Sequence, residues 1–145
     1  MGARSFLTEQ QQKRIVSAIA EAENKTSGEI RVHLDSTCKE DVLDRAAALF
    51  EKLKMHETEL RNGVLIYLAT NDRKLAIIGD AGINSKVPEN FWEDAKEAMV
   101  EAFKEGKYAE GLEKAITMAG EKLKIFFPVS KDDINELSDE ISFGK

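Results

Sequence analysis

The chain has 145 residues, 33% of them charged, and a net charge of −6. That length predicts one domain that buries roughly 68–70% of its unfolded surface without a disulfide or metal staple. The negative balance argues against nucleic acid as a partner, and a single cysteine, Cys38, permits no internal disulfide, as expected of a reducing compartment.

The N-terminus, Met1 to Phe6, carries no apolar core of signal-peptide length. No apolar run approaches the roughly 20 residues of a spanning helix, so the expectation is a soluble, cytoplasmic chain.

Thr8 and Gln11 fit a capping box, and Ile15, Val16, Ile19 and Ala22 then recur at helical spacing to about Lys25. Thr26-Ser27-Gly28 ends that helix. Glu29 to Asp35 alternates, with Ile30, Val32 and Leu34 against Glu29, Arg31, His33 and Asp35, which predicts a strand. Lys39 to Met55 returns to helical period, with Asp41 and Asp44 near its start, where acids complement the dipole. His56 to Leu60 is a polar connector. Val64 to Ala69 is apolar almost throughout, the pattern of a strand buried on both faces. Asn71-Asp72 predicts a two-residue turn into a third strand, 74–79.

Ala81 to Val87 reads as a loop, and Pro88 as the first residue of the next helix. Phe91, Trp92, Ala95, Met99, Ala102 and Phe103 form that helix's apolar stripe, and their spacing makes Phe91 and Trp92 core residues. Gly106 closes the helix. A last long helix spans about Tyr108 to Phe126, where Gly120 signals close packing against a neighbour. Pro128 stops it. Ser130 to Asp133 can start a short C-terminal helix carrying Ile134 and Leu137, and Ser138 to Lys145 is an acidic tail.

The order α-β-α-β-β-α-α predicts an α/β fold. It is a three-layer α/β/α sandwich around a small mixed sheet of three to four strands, built from a right-handed βαβ unit and a β-hairpin. Residues 1–127 form a single domain and 128–145 the short helix and tail.

This topology brings Glu29, Arg61, Asn62 and Asp80 to one end of the sheet, with the loop carrying Gly82 and Asn84 beside them. Three readings of that end stand open. Glu29 and Asp80 with loop carbonyls could hold Ca²⁺ or another divalent cation. Arg61 could hold a phosphate. Arg61 could instead pair with Glu29 or Asp80 and close the sheet end. The opposite end collects Asp35, Asp44 and Asp72 as a second-rank acidic cluster. His33 and Cys38 do not match zinc spacing, so His33 reads as a structural residue. No Gly-x-Ser-x-Gly occurs. Gly79-Asp80-Ala81-Gly82 is too short for a phosphate-binding fingerprint, so no nucleotide cofactor is expected.

Asn62-Gly63 before an apolar strand, Asp72-Arg73-Lys74 at the turn, Gly79-x-x-Gly82 after the return strand, Thr26-Ser27-Gly28-Glu29, and Phe103 to Leu112 together resemble the TPM-domain family. That family includes a thylakoid-lumen acid phosphatase, a photosystem-repair protein and a modulator of acetylcholine receptors. The match spans roughly residues 8–127 and is nearest to short bacterial members without signal peptide or membrane anchor. The resemblance implies an α/β/α sandwich, an acidic metal pocket with Ca²⁺ as its ion, and a weak phosphatase activity. Two functions follow: a metal-binding interaction module with a protein partner, linked to membrane-protein upkeep or stress, or a metal-assisted phosphatase. In the second, Arg61 holds the phosphate and Glu29 or Asp80 ligates the ion.

Overall fold

The computed structural model describes residues 2–129 and 138–144. The short helix expected from Ser130 lies outside the described residues. Four strands, β1 (Glu29–Asp35), β2 (Gly63–Ala69), β3 (Lys74–Gly79) and β4 (Ser142–Phe143), form one sheet in the order β3-β2-β1-β4. β1 and β2 run parallel, with Glu29 opposite Gly63. β3 returns antiparallel, with Val64 opposite Gly79. Among the described residues five α-helices accompany the sheet: α1 (Glu9–Glu23), α2 (Val42–Lys52), the single turn α3 (Ala81–Asn84), α4 (Glu93–Lys104) and α5 (Tyr108–Phe126).

Alternation along the strands divides the core. Val32, Leu34, Ile66, Leu68 and Ile77 face one side and pack with Ile15 and Ile19 of α1, Met99 of α4, and Leu112, Ile116 and Leu123 of α5. Leu65, Tyr67, Ala69 and Ala76 face the other side and pack with Ala46, Leu49 and Phe50 of α2. Every residue of β2 is buried, as expected of a central strand covered on both faces. Each fully buried Leu or Ile contributes about 1.5–3 kcal/mol of transfer free energy, so this double burial anchors the fold.

Local signals explain most boundaries. The Thr8 hydroxyl accepts from the Gln11 amide at 3.1 Å, and the Gln11 side chain accepts from the Thr8 amide at 2.9 Å, closing the capping box. Gly106 adopts φ 75° just past α4, a left-handed conformation that glycine takes without steric cost. α2 starts later than its periodicity suggests. Asp41 caps it through the Leu43 amide at 2.9 Å, while the Asp72 carboxylate holds the Cys38 amide at 2.7 Å and keeps that segment out of the helix.

The expectation that Pro88 opens a helix is corrected. The Phe91 amide donates to the Pro88 carbonyl at 3.1 Å, forming a turn that drops Phe91 and Trp92 into the core, and α4 begins only at Glu93. The segment after Asp80 is also more ordered than a loop, because the Asp80 carboxylate caps α3. The hairpin connection is longer than two residues. Ala69 pairs with Lys74, so Thr70 to Arg73 form the turn, with Arg73 at φ 55°. The tail docks as β4, parallel to β1, with His33 opposite Ser142.

Gly120 packs where expected. A Cβ there would stand 2.8 Å from the Ala22 Cβ, where α1 crosses α5. Gly120→Ala should therefore destabilise by about 1–3 kcal/mol in thermal or urea melts, although alanine is the better helix former by about 1 kcal/mol. A gain in stability would mean that α1 and α5 can separate without loss.

Candidate functional site

The expected convergence at the sheet end is present, and hydrogen bonds account for most of its members. Arg61, at φ 50°, reaches Asp80 through two bonds, Nε to Oδ2 at 2.7 Å and Nη2 to Oδ1 at 2.8 Å. Asp80 Oδ1 also accepts from the Ala81 amide at 2.8 Å. Both Asp80 oxygens are thus engaged, and a planar bidentate pair of this kind fixes geometry strongly. Asn62 is buried, donating to the Ser27 carbonyl at 2.9 Å while its own carbonyl accepts from the Glu29 amide at 3.1 Å. Gly82 donates to the Arg61 carbonyl at 2.9 Å, and the Asn84 side chain donates to the Gly79 carbonyl at 3.0 Å. Arg61, Asn62, Asp80, Gly82 and Asn84 therefore tie β1, β2 and β3 together at their shared end.

Glu29 lies apart from that bidentate pair. It is buried at the start of β1, and its charge acts on Glu23, the last residue of α1. Glu23 Oε2 accepts from the Ile30 amide at 2.8 Å, at the start of β1, on a stretch of strand that β4, paired at His33 and Leu34, does not reach. Its side chain also hydrogen-bonds Asp139, which leads into β4. Burial first, then the bond to Asp139 and the charges of Asp139 and Glu29, push the Glu23 carboxyl up to about 9; only the Ile30 amide opposes them. At neutral pH Glu23 holds its proton and shares it with Asp139.

The acidic opposite end is a second network. Asp35 is 1% exposed. It accepts from Arg45 Nε at 2.9 Å, Arg45 Nη2 at 3.3 Å and the Tyr67 hydroxyl at 2.7 Å, and it contacts His33 Nε2 at 2.8 Å. Burial would push the Asp35 carboxyl up, but the bonds from Arg45, Tyr67 and His33 outweigh it and hold it below its ordinary value. Burial lowers the His33 pKa against the pull of Asp35. A neutral His33 donates from Nε2 to Asp35 and accepts from the Ser142 hydroxyl at Nδ1, 2.9 Å away. His33 is structural, as its place in β1 suggests, and it pins β4. Of the remaining acids, Asp72 accepts from Cys38, and Asp44 stands in the first turn of α2, away from the Asp35 bonds.

Among the described residues, no group of three or more His, Cys, Asp or Glu side chains is arranged to hold a metal ion. Topology foresees that Arg61 and Asp80 meet at one end of the sheet, and leaves open whether Arg61 pairs with Glu29 or Asp80. It does not foresee the roles of Glu23 and Asp139, because only the return of the tail along β1 brings Asp139 to α1.

The Glu23 carboxyl makes a direct pH prediction. Its folded value, about 9, exceeds its unfolded value of 4.5. The stability it contributes is complete below the unfolded value and is lost as pH rises through the folded one. Glu23→Gln keeps an acceptor for Ile30 and a donor for Asp139. It should flatten the fall in melting temperature between pH 5 and 9 and raise the melting temperature at the alkaline end. A wild-type slope retained in the variant would refute the shared proton.

The TPM domain profile matches residues 3–122. Among solved structures, the BA42 protein from the psychrophilic bacterium Bizionia argentinensis is 49% identical with a TM-score of 0.91, over 97% of each chain. The N-terminal domain of a protein from P. gingivalis is 20% identical with a TM-score of 0.70, over 85% of this chain and 80% of that one, and shows a shared fold. No curated protein matches.

Proposed function

The chain belongs to the TPM-domain family, and from that premise we propose that it is a binding module whose Glu23–Asp139 pair exchanges its shared proton for a divalent cation such as Ca²⁺. The observation that carries the reading is the Glu23 carboxyl, which accepts from the Ile30 amide at 2.8 Å and hydrogen-bonds Asp139 beside the buried Glu29, with burial raising its pKa. A hard cation binds oxygen ligands and competes with protons for them. Glu29 keeps its place as a candidate ligand, and Glu23 and Asp139 join it. Asp80 is the weaker candidate, because Arg61 and Ala81 already engage its oxygens. This is no preassembled coordination shell. The cation takes the pair, and Glu29 is the third candidate carboxylate.

Asp139 leads into β4, so an exchange of proton for cation bears on how the tail sits against β1, and a protein partner that reads this edge would sense it. The reducing interior of the cell suits the free, buried Cys38. Among the described residues, no helix is long and apolar enough to cross a membrane. The phosphatase alternative has less support, because Arg61 would have to leave Asp80 to hold a phosphate.

Calcium titration followed by NMR tests the proposal. Millimolar Ca²⁺ should shift the resonances of Glu23, Glu29, Ile30 and Asp139 and leave those of Arg61 and Asp80 in place. Shifts at Asp80 and Glu29 with Glu23 and Asp139 unmoved would place the cation on the Glu29–Asp80 pair instead. No shift at any carboxylate would remove the cation from the account.

A further inference from the structure

The hairpin turn ending at Arg73 and the segment around Phe103 and Tyr108 are far apart in sequence, yet both line one cavity of about 180 Å³. Leu68 and Leu75 of the hairpin and Val100 and Phe103 of α4 form its apolar lining. Val100, 39% exposed, stands at the solvent rim of the cavity. A cavity of about 150 Å³ accepts a benzene ring, so this one accommodates a single ring-sized group.

The charged lining is of one sign. Arg73 and Lys104 border the cavity, and among the described residues no acid does, in a chain whose net charge is −6. The acids adjoining them in sequence are engaged elsewhere: Asp72 accepts from the Cys38 amide, and Glu105 pairs with Lys107 at 3.6 Å. Among the described residues, neither Arg73 nor Lys104 makes an ion pair or side-chain hydrogen bond.

Arg73 also carries backbone strain. It sits at φ 55°, where a hairpin loop ordinarily places glycine or asparagine. An arginine there disfavours the fold locally and puts a guanidinium beside an apolar hole.

We propose that this cavity binds a small amphiphilic acid, with a ring-sized apolar group against Leu68, Leu75 and Phe103 and its carboxylate between Arg73 and Lys104. The site stands on the α4 side of the sheet, at the opposite end from Glu23 and Glu29, and does not depend on the cation reading. Charge complementarity selects the acid over a neutral analogue, and the cavity volume limits the apolar part to one ring.

The test uses 3-phenylpropionate, its neutral amide, and a short peptide ending in phenylalanine, titrated into the full chain while methyl NMR signals are followed. The acid should give saturable shifts at Leu68, Leu75 and Val100, and the amide should bind at least tenfold more weakly. Arg73→Gly should raise the melting temperature, because glycine takes this φ freely, and should abolish the acid's shifts. Lys104→Gln should weaken binding severalfold with an unchanged melting temperature. Equal binding of acid and amide, unchanged affinity in Arg73→Gly, or no saturable shift up to the solubility limit would each overturn the proposal. Tighter binding of the peptide than of the free acid would overturn the small-molecule assignment.

Discussion

Asp35→Ala should destabilise the protein by about 3–5 kcal/mol in urea denaturation at pH 7, the range seen when one partner of a buried charge network is removed. Asp35 is 1% exposed and accepts from Arg45, Tyr67 and His33 together. Truncation leaves a guanidinium, a phenol and an imidazole facing a cavity without an acceptor. The docking of β4 should loosen as well, because His33 would lose the bond that fixes its tautomer towards Ser142. Tyr67→Phe removes one donor only and should cost about 1–2 kcal/mol. The pH dependence has a definite sign. The folded Asp35 pKa lies below its unfolded 3.8, so its stabilisation is present above that value and lost as pH falls through the folded one. Wild type and variant should therefore converge in acid. A loss below about 1 kcal/mol at neutral pH would mean that water takes over the role of the carboxylate.

Gly82→Ala should cost about 3 kcal/mol or more, at the upper end for overpacking, because the colliding atoms are main chain. A Cβ at Gly82 would lie 2.2 Å from the Leu60 carbonyl oxygen and 2.6 Å from that of Arg61. No rotamer change relieves that contact. The helical turn would have to move away from the connector before β2, breaking the bond from the Gly82 amide to the Arg61 carbonyl and straining the Arg61–Asp80 pair. Chemical denaturation measures the loss, and NMR of the Arg61 side chain reports whether the ion pair opens. Retention of both the pair and the stability would show that this sheet end tolerates displacement of α3.

The legible parts of the fold are those specified by local pattern. The alternation of Glu29 to Asp35, the apolar run of β2 and the period from Tyr108 to Phe126 each place an element where it stands. The parallel βαβ unit with its hairpin then puts Arg61, Asp80 and Glu29 at one end by topology alone. What sequence reading missed depends on contacts between distant segments. β4 has two residues and no periodicity, and it is held by β1 and His33. The start of α4 is set by a proline turn that buries Phe91 and Trp92, although their spacing continues the helical stripe. Glu23 ends a helix and looks like a solvated acid. Only the burial of its carboxyl beside Ile30 and Asp139 changes its chemistry. Asp80 was legible as a carboxylate in the right place, but its bidentate engagement by Arg61 was one of several pairings the topology allowed.

Proton release on calcium binding tests the exchange at Glu23 most directly. Calorimetric titration at pH 7.5, in buffers of different ionisation enthalpy, should show about one proton released per cation bound, because a carboxyl with a pKa near 9 must give up its proton to become a ligand. Glu23→Gln should abolish that release and weaken binding at least tenfold. Calcium binding without proton release, or release that persists unchanged in Glu23→Gln, would contradict the account.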